Sequence, residues 1–450
     1  MLDRRLFLKT AGAIAFAGLA NNVPASTSRG ELTHSKKGYG PLLSDPNGIL
    51  DLPEGFSYDI ISSFSDLMDD GFNVPDRADG MGCIALSKEK VALIRNHELS
   101  PRHLSRQPKS IQGLKSGLAY DTNSDHIALP GGTSTIIYNI KTKEVERQFL
   151  SLVGTIRNCS GGTTPWGSWL TCEESVKTSD GNIKQDHGYV FEVPANANGL
   201  VEAVPLKAMG RFNHEAACVD PKTGIVYLTE DRGDSLFYRF IPNVYGDLAK
   251  GGKLQALAIK GLPKFDSRNW SQAQMKVGEW LDTEWVELDE PESPNDDLRA
   301  RGYKLGATRF ARGEGVQWVE NELFFTCTNG GNKKLGQIMR YRPTGNNSDK
   351  KQDGKIQLFL ESNNANLYNY GDNLTVTPNG HLLVCEDQYT EVVDNHLRGV
   401  TPNGELYDFA KLNLQTELAG ACFSPDGSTL FVNVYSPAKT LAITGPWDKV

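Results

Sequence analysis

The chain has 450 residues, with 47 Lys and Arg against 55 Asp and Glu, a formal net charge of −8 at pH 7. That balance, with no basic run to interrupt it, excludes a nucleic-acid partner. The 45 glycines, and the lack of a long apolar span after the N-terminus, describe a turn-rich globular protein. Seven cysteines, an odd number with no CxxC pair, argue against a disulfide framework and a structural zinc site.

The first residues read as a targeting segment. Arg4 and Arg5 form a twin arginine, an apolar run covers 11–20, and Val23-Pro24-Ala25 offers a small-residue cleavage site before Ser26. Residues 1–25 are therefore expected to be a twin-arginine signal peptide. The partner at that stage would be the translocation machinery, and the mature protein would be periplasmic or secreted with no stable membrane anchor. This route carries folded proteins, which suits a chain that loads a metal before export. Residues 26–50 read as an irregular mature N-terminus, and 51–450 as one domain.

From Ser57 onward two sequence units alternate. The first is a turn, then an apolar strand that ends on a polar, ligand-type residue. Its copies fall at 91–98 (VALIRNHE), 169–174 (WLTCEE), 220–231 (DPKTGIVYLTED), 322–329 (ELFFTCTN), 377–387 (TPNGHLLVCED) and 424–433 (SPDGSTLFVN). The second ends on proline, as at 188–194 (GYVFEVP), 235–242 (SLFYRFIP) and 337–343 (QIMRYRP). Proline there stops ladder pairing at a sheet edge, and the Pro-x-Gly turns are hairpin chemistry. About six copies with almost no helical period predict an all-β fold, a single β-propeller of six blades. Two segments break the rhythm, 100–129 and 243–310, and are expected to be insertions over one face. Tryptophans 270, 280 and 285 in the second are expected to pack.

In a propeller, polar residues at one phase of successive blades converge on the central channel. The candidates are Asn96, His97 and Glu98, then Glu173 and Glu174, then Asn213, His214 and Glu215. Glu230 and Asp231, Arg312 and Glu314, Asp372 and Asn373, and Glu386 and Asp387 complete the set. So many carboxylates converging would repel one another unless cations sit among them. Oxygen ligands suit Ca²⁺, whereas the polar-loop thiol Cys159 favours a transition metal. Arg312 and Glu314, two apart on an extended backbone, point the same way, so one could bind metal while the other forks onto a phosphate or carboxylate. No Walker loop and no Ser-His-Asp set is visible. His97 and His214 read as satisfied structural histidines as readily as ligands.

Together the twin-arginine leader, Asn96-His97-Glu98, Asn158-Cys159-Ser160-Gly161-Gly162, Phe212-Asn213-His214-Glu215, Ala311-Arg312-Gly313-Glu314 and Gly371-Asp372-Asn373 resemble the exported PhoX-type bacterial alkaline phosphatases. The likeness runs over nearly the whole mature chain. It implies a propeller with an iron–calcium cluster (Fe³⁺ and Ca²⁺) at the channel mouth that hydrolyses a small phosphomonoester. By that resemblance Cys159 is the iron thiolate, Glu215 a shared carboxylate, and Glu314 a further ligand with a catalytic role. Arg312 is the catalytic, phosphate-gripping arginine, and Asp372 and Asn373 are calcium ligands. Glu98, Glu173 and Glu174 are metal ligands without an assigned ion. Two other readings fit the oxygen ligands: a calcium-dependent propeller lactonase or esterase, and a non-enzymatic, calcium-stabilised binding propeller.

Overall fold

Alternating apolar runs bounded by Gly, Pro and Asp turns become antiparallel strands along the computed structural model, which describes residues 32, 34–35, 38–344, 353–388 and 390–450. The expected signal peptide lies outside the described residues. β1 (Leu42–Leu43), β2 (Leu50–Pro53) and β3 (Ser57–Ser63) come first. β4 (Ala78–Ala85), β5 (Lys90–His97), β6 (Gly131–Asn139) and β7 (Glu144–Thr155) then make a four-stranded meander. β8 (Asn158–Thr163), β9 (Ser168–Glu173) and β10 (Val190–Pro194) make a three-stranded one.

The next meander runs through β11 (His214–Val219), β12 (Val226–Glu230), β13 (Tyr238–Val244) and β14 (Asp247–Ile259). After β15 (Trp280–Glu287) another follows: β16 (Gly313–Val319), β17 (Glu322–Cys327), β18 (Gln337–Pro343) and β19 (Gly354–Glu361). β15 pairs with both β14 and β19 and so joins the two meanders into one nine-stranded sheet. β20 (Gly371–Val376), β21 (Leu382–Glu386), β22 (His396–Val400) and β23 (Leu406–Leu412) continue into β2 and β1. Finally β24 (Leu418–Phe423), β25 (Thr429–Val434) and β26 (Lys439–Thr444) pair with the N-terminal β3, which ties the two ends of the domain together.

The first strands of these meanders pack side by side in a closed circuit: β4 beside β8, β8 beside β11, β11 beside β16, β16 beside β20, β20 beside β24, and β24 beside β4. That is a propeller-like, all-β arrangement around a channel, which contains a cavity of about 440 Å³. Apolar side chains fill the space between meanders; Phe237 of one stacks on Phe325 of the next at 4.3 Å between ring centroids. Burying each such ring stabilises the fold by about 1.5–3 kcal/mol. Among the described residues no helix is long and apolar enough to cross a membrane.

Three sequence expectations change here. The repeated apolar unit is the second strand of each meander, not the channel-lining one, because its copies coincide with β5, β9, β12, β17, β21 and β25. Within 26–50, expected to be irregular, β1 adds to a sheet and Tyr39 is buried against Phe409 and Trp447. The 243–310 segment is only partly an insertion, since β14 and β15 are structural strands within it. Its tryptophans pack: Trp285 Nε1 donates to the Tyr341 hydroxyl at 3.2 Å, and Trp270 Nε1 donates to Asn329 O at 2.7 Å.

Candidate metal centre

Each channel strand begins with a β-bulge at the same place. Two residues there oppose one on the second strand, between Ala78 and Met81, Asn158 and Gly161, His214 and Ala217, Gly313 and Val316, Gly371 and Leu374, and Ala419 and Cys422. The first bulged residue is in turn Asp79, Cys159, Glu215, Glu314, Asp372 and Gly420. A bulge re-aims the side chain it carries. Repeated around the ring, it delivers four carboxyls and a thiol to one end of the channel, with a glycine in the last position.

A second layer comes from the residue after each second strand. The backbone N–H of Glu98, Glu174, Asp231, Thr328, Asp387 and Tyr435 donates to the carbonyl of Arg77, Arg157, Asn213, Arg312, Tyr370 and Glu417 respectively. Period-two alternation then separates the adjacent acid pairs. Glu174, Asp231 and Asp387 belong to the channel mouth, whereas Glu173, Glu230 and Glu386 turn back into their own sheets. Glu173 accepts from His187 Nδ1 at 2.6 Å and from the backbone N–H of Ile156 and Gly188, each at 2.8 Å. Glu230 accepts from the Tyr238 hydroxyl at 2.7 Å, and Glu386 from Arg398 Nε at 2.9 Å. The structure does not bring Glu173 to the cluster.

It does bring together Cys159, Glu174 and Glu215, and likewise Glu215, Glu314 and Asp372. Within each set the ligand atoms lie within 4.8 Å of one another, and Glu215 belongs to both. Burial, reinforced by Glu314, Asp372, Glu174 and Asp79, pushes the Glu215 carboxyl well above the usual range. Glu314 is raised by burial and by Asp231, and Asp372 by burial and by Asp387. The Cys159 thiol is raised by burial and then by Glu215. Desolvated acids that hold each other protonated are the expected state of a cation site without its counter-charge. The donor set of hard oxygens and one thiol therefore fits metal ions, with a transition metal at the Cys159 side and calcium-type oxygens at the other. Among the described residues the buried Asn213 Oδ1 has no hydrogen-bond partner.

Arginines balance part of the charge. Arg157 Nε donates to Glu98 Oε1 at 2.7 Å and its Nη2 pairs with Glu174. Arg312 grips Asp231 through Nε at 2.6 Å and Nη2 at 3.0 Å, and reaches Glu314 Oε1 at 3.0 Å. Arg77 lies 3.8 Å from Glu98 and over the Tyr435 ring. Arg77, Arg157 and Arg312 all have positive φ, at 55°, 51° and 51°. The left-handed region is costly for such side chains and collects at functional sites.

Side chains of one meander clamp the bulge of the next. Asn96 Nδ2 donates to Cys159 O at 3.1 Å and Ser160 O at 2.7 Å, while its Oδ1 accepts from Trp169 Nε1 at 2.9 Å. Thr326 donates to Asp372 O at 2.7 Å, and Asn433 to Asp79 O at 2.5 Å. Asn373 Oδ1 accepts from Gly420 N at 2.7 Å and its Nδ2 donates to Asp372 Oδ1 at 3.0 Å, so it braces the cluster. Both triplet histidines are internal: His97 bonds Asp76 O and Ser134, and His214 bonds Gly210 O. The paired glycines after Cys159 have a steric reason, since a Cβ on Gly162 would meet Ala217 O of the neighbouring strand at 1.8 Å.

The profile of the family described as alkaline phosphatase PhoX matches residues 37–138 and 119–438. The chain belongs to the alkaline phosphatase PhoX family. A structure described as Pseudomonas fluorescens PhoX in complex with vanadate, a transition state analogue, is similar over 89% of this chain and 97% of that one. The TM-score is 0.65 at 19% identity, which supports the same fold. A gluconolactonase from Xanthomonas campestris, XC5397, overlaps 90% of this chain and 98% of its own at 10% identity, with a TM-score of 0.41. No curated protein matches. Sequence reasoning for this PhoX-family chain had passed over Asp79, Arg77 and Arg157. Asp79 sits in a turn-like run, Asp-Arg-Ala-Asp-Gly-Met-Gly, and only the bulge reveals it as the partner of Cys159 and Glu215.

Proposed function

We propose that this chain is an exported phosphomonoesterase that works with Fe³⁺ and Ca²⁺ at the mouth of a six-bladed propeller. The blade count rests on the backbone bond that recurs six times around the channel. The observation that carries the activity is the convergence of Cys159, Glu174, Glu215, Glu314 and Asp372 beside the clamped Arg312. Asp79 joins this ligand set by its bulge position. Glu98 orients Arg157, Asn373 braces Asp372 and Gly420, and Glu173 serves blade packing. Residues 1–25 would direct twin-arginine export to the periplasm or beyond, leaving 26–450 as the mature enzyme.

When bound, the ions would supply Lewis acidity toward a phosphoryl oxygen and neutralise its charge. The residues do the rest. Asp231 fixes the Arg312 guanidinium through Nε and Nη2 and so orients its charge at the cluster, where it would offset the charge that grows on the phosphoryl oxygens. Glu314, shared between Arg312 and the ligand set, couples that grip to the cluster. Arg157 keeps its charge: burial works against it, but Glu98 and Glu174 outweigh burial and raise its pKa. A thiol among the ligands favours this reading over a calcium-only lactonase or a calcium-stabilised scaffold. The test is turnover of p-nitrophenyl phosphate by metal-loaded Cys159→Ala, Glu314→Ala and Arg312→Gln. The first two should lose activity, and the last about a hundredfold or more in kcat/KM, with unchanged circular dichroism. Full activity in all three would refute the assignment.

A further inference from the structure

The 100–129 segment places guanidinium groups beside the mouth that the reaction itself does not use. It leaves Glu98 and turns at once into a short 3₁₀ helix, Pro101–Arg106. Both ends are tied to backbone that presents the mouth arginines. Leu99 O accepts from Arg157 N at 2.9 Å, and Gln107 Oε1 accepts from Asp76 N, next to Arg77, at 3.0 Å. The helix carries Arg102 and Arg106, both exposed, and no acid. Arg102 Nε donates to His103 Nε2 at 3.2 Å, and no acidic residue pairs with Arg102 or Arg106 among the described residues. His103, buried beneath them, has its pKa lowered to about 4 by burial and then by Arg77, Arg102, Arg106 and Arg157. The two backbone ties thus set the helix that carries Arg102 and Arg106 beside the backbone of Arg77 and Arg157. Arg77 and Arg157 already face Glu98, while Arg102 and Arg106 have no acidic partner among the described residues.

We propose that Arg102 and Arg106 form a subsite for a second phosphate of the substrate, so that bisphosphorylated monoesters are preferred over those with an uncharged leaving group. The inference rests on the phosphatase reading and adds a substrate class to it. The scissile phosphate would occupy the ligand cluster and Arg312. The second would lie over the β4–β8 side of the mouth, where guanidinium forks match phosphate geometry. The positive charge of Arg102 and Arg106 also raises the local concentration of a polyanion, with a dependence on ionic strength.

The test uses the metal-loaded mature protein and an Arg102→Gln/Arg106→Gln double variant; both positions are exposed, so the fold should tolerate the change. Calorimetric binding of butane-1,4-bisphosphonate is compared with that of butylphosphonate, and turnover of fructose 1,6-bisphosphate with that of fructose 6-phosphate. The variant should lose about tenfold in bisphosphonate affinity and in bisphosphate kcat/KM, with the monophosphonate and monophosphate probes unchanged. Equal effects on both members of each pair, or none, would overturn the subsite. If the wild type turns over no phosphoester yet the selective loss of binding persists, the phosphatase reading falls and the anion subsite stands.

Discussion

His187 shows how one buried residue couples the insertion to the blade that carries Cys159. Its imidazole lies between Glu173 Oε1 at 2.6 Å and Asp121 Oδ2 at 3.3 Å, with no exposed surface. Burial disfavours the charged ring, but Glu173 and Asp121 outweigh it and raise the pKa to about 9 from 6.5. A raised histidine contributes stability that is fully present below the unfolded value and lost as pH rises through the folded one. Denaturant unfolding should therefore show stability falling between about pH 7 and 10 in the wild type, with that component absent in His187→Gln. His187→Leu should cost about 3–5 kcal/mol, because the buried Glu173 and Asp121 would lose the imidazolium they share and Glu173 would keep only backbone N–H donors. A melting temperature within a degree or so of wild type would contradict this. Asn96 acts at the same scale. Asn96→Ala removes the clamp on Cys159 O and Ser160 O and should cost about 1–3 kcal/mol, with a matching fall in bound transition metal measured on the purified variant.

At the scale of the element, the bulge is the device that makes the site, and it also explains what the sequence hid. The second strands, such as Trp169 to Glu173, are mainly apolar and end on a polar residue, so their recurrence was visible and the propeller-like fold with it. The channel strands open with Asp79-Gly80, Cys159-Ser160 or Glu314-Gly315, where the bulge breaks the period-two pattern and glycines replace β-formers. They read as loops, which is why Asp79 escaped notice; Glu173 and Glu174 looked equivalent because both come at the end of the visible second strand. Only strand alternation, seen with the register known, separates a blade-packing acid from a mouth acid. Arg157 and Arg77 escaped for a related reason, since a left-handed φ on arginine has no sequence signal. Gly420 tests the bulge geometry. It has φ +62°, and a Cβ there would lie 2.4 Å from Asp79 O. Gly420→Ala should destabilise by more than about 1 kcal/mol and shift Asp79, seen as a lower melting temperature and weaker metal retention; an unchanged melt would contradict the geometry.

The whole molecule is a ring closed by pairing β26 with β3 across nearly the full length of the chain. Its acids face one another across the mouth, so the bound ions and the closure act on the same circuit. Removing residues after Val434 deletes β26 and strands β3, and should abolish cooperative unfolding in a thermal melt. Chelation should lower the melting temperature of the intact ring, because ions that bind only the folded site would be lost and Glu215, Glu314 and Asp372 would stay buried without a counter-charge. The most direct test of the central claim is elemental analysis of the purified mature protein, with p-nitrophenyl phosphate turnover assayed on the same sample. The account predicts iron and calcium together with turnover. Calcium without iron or turnover would contradict it and return Cys159 to the status of a buried thiol.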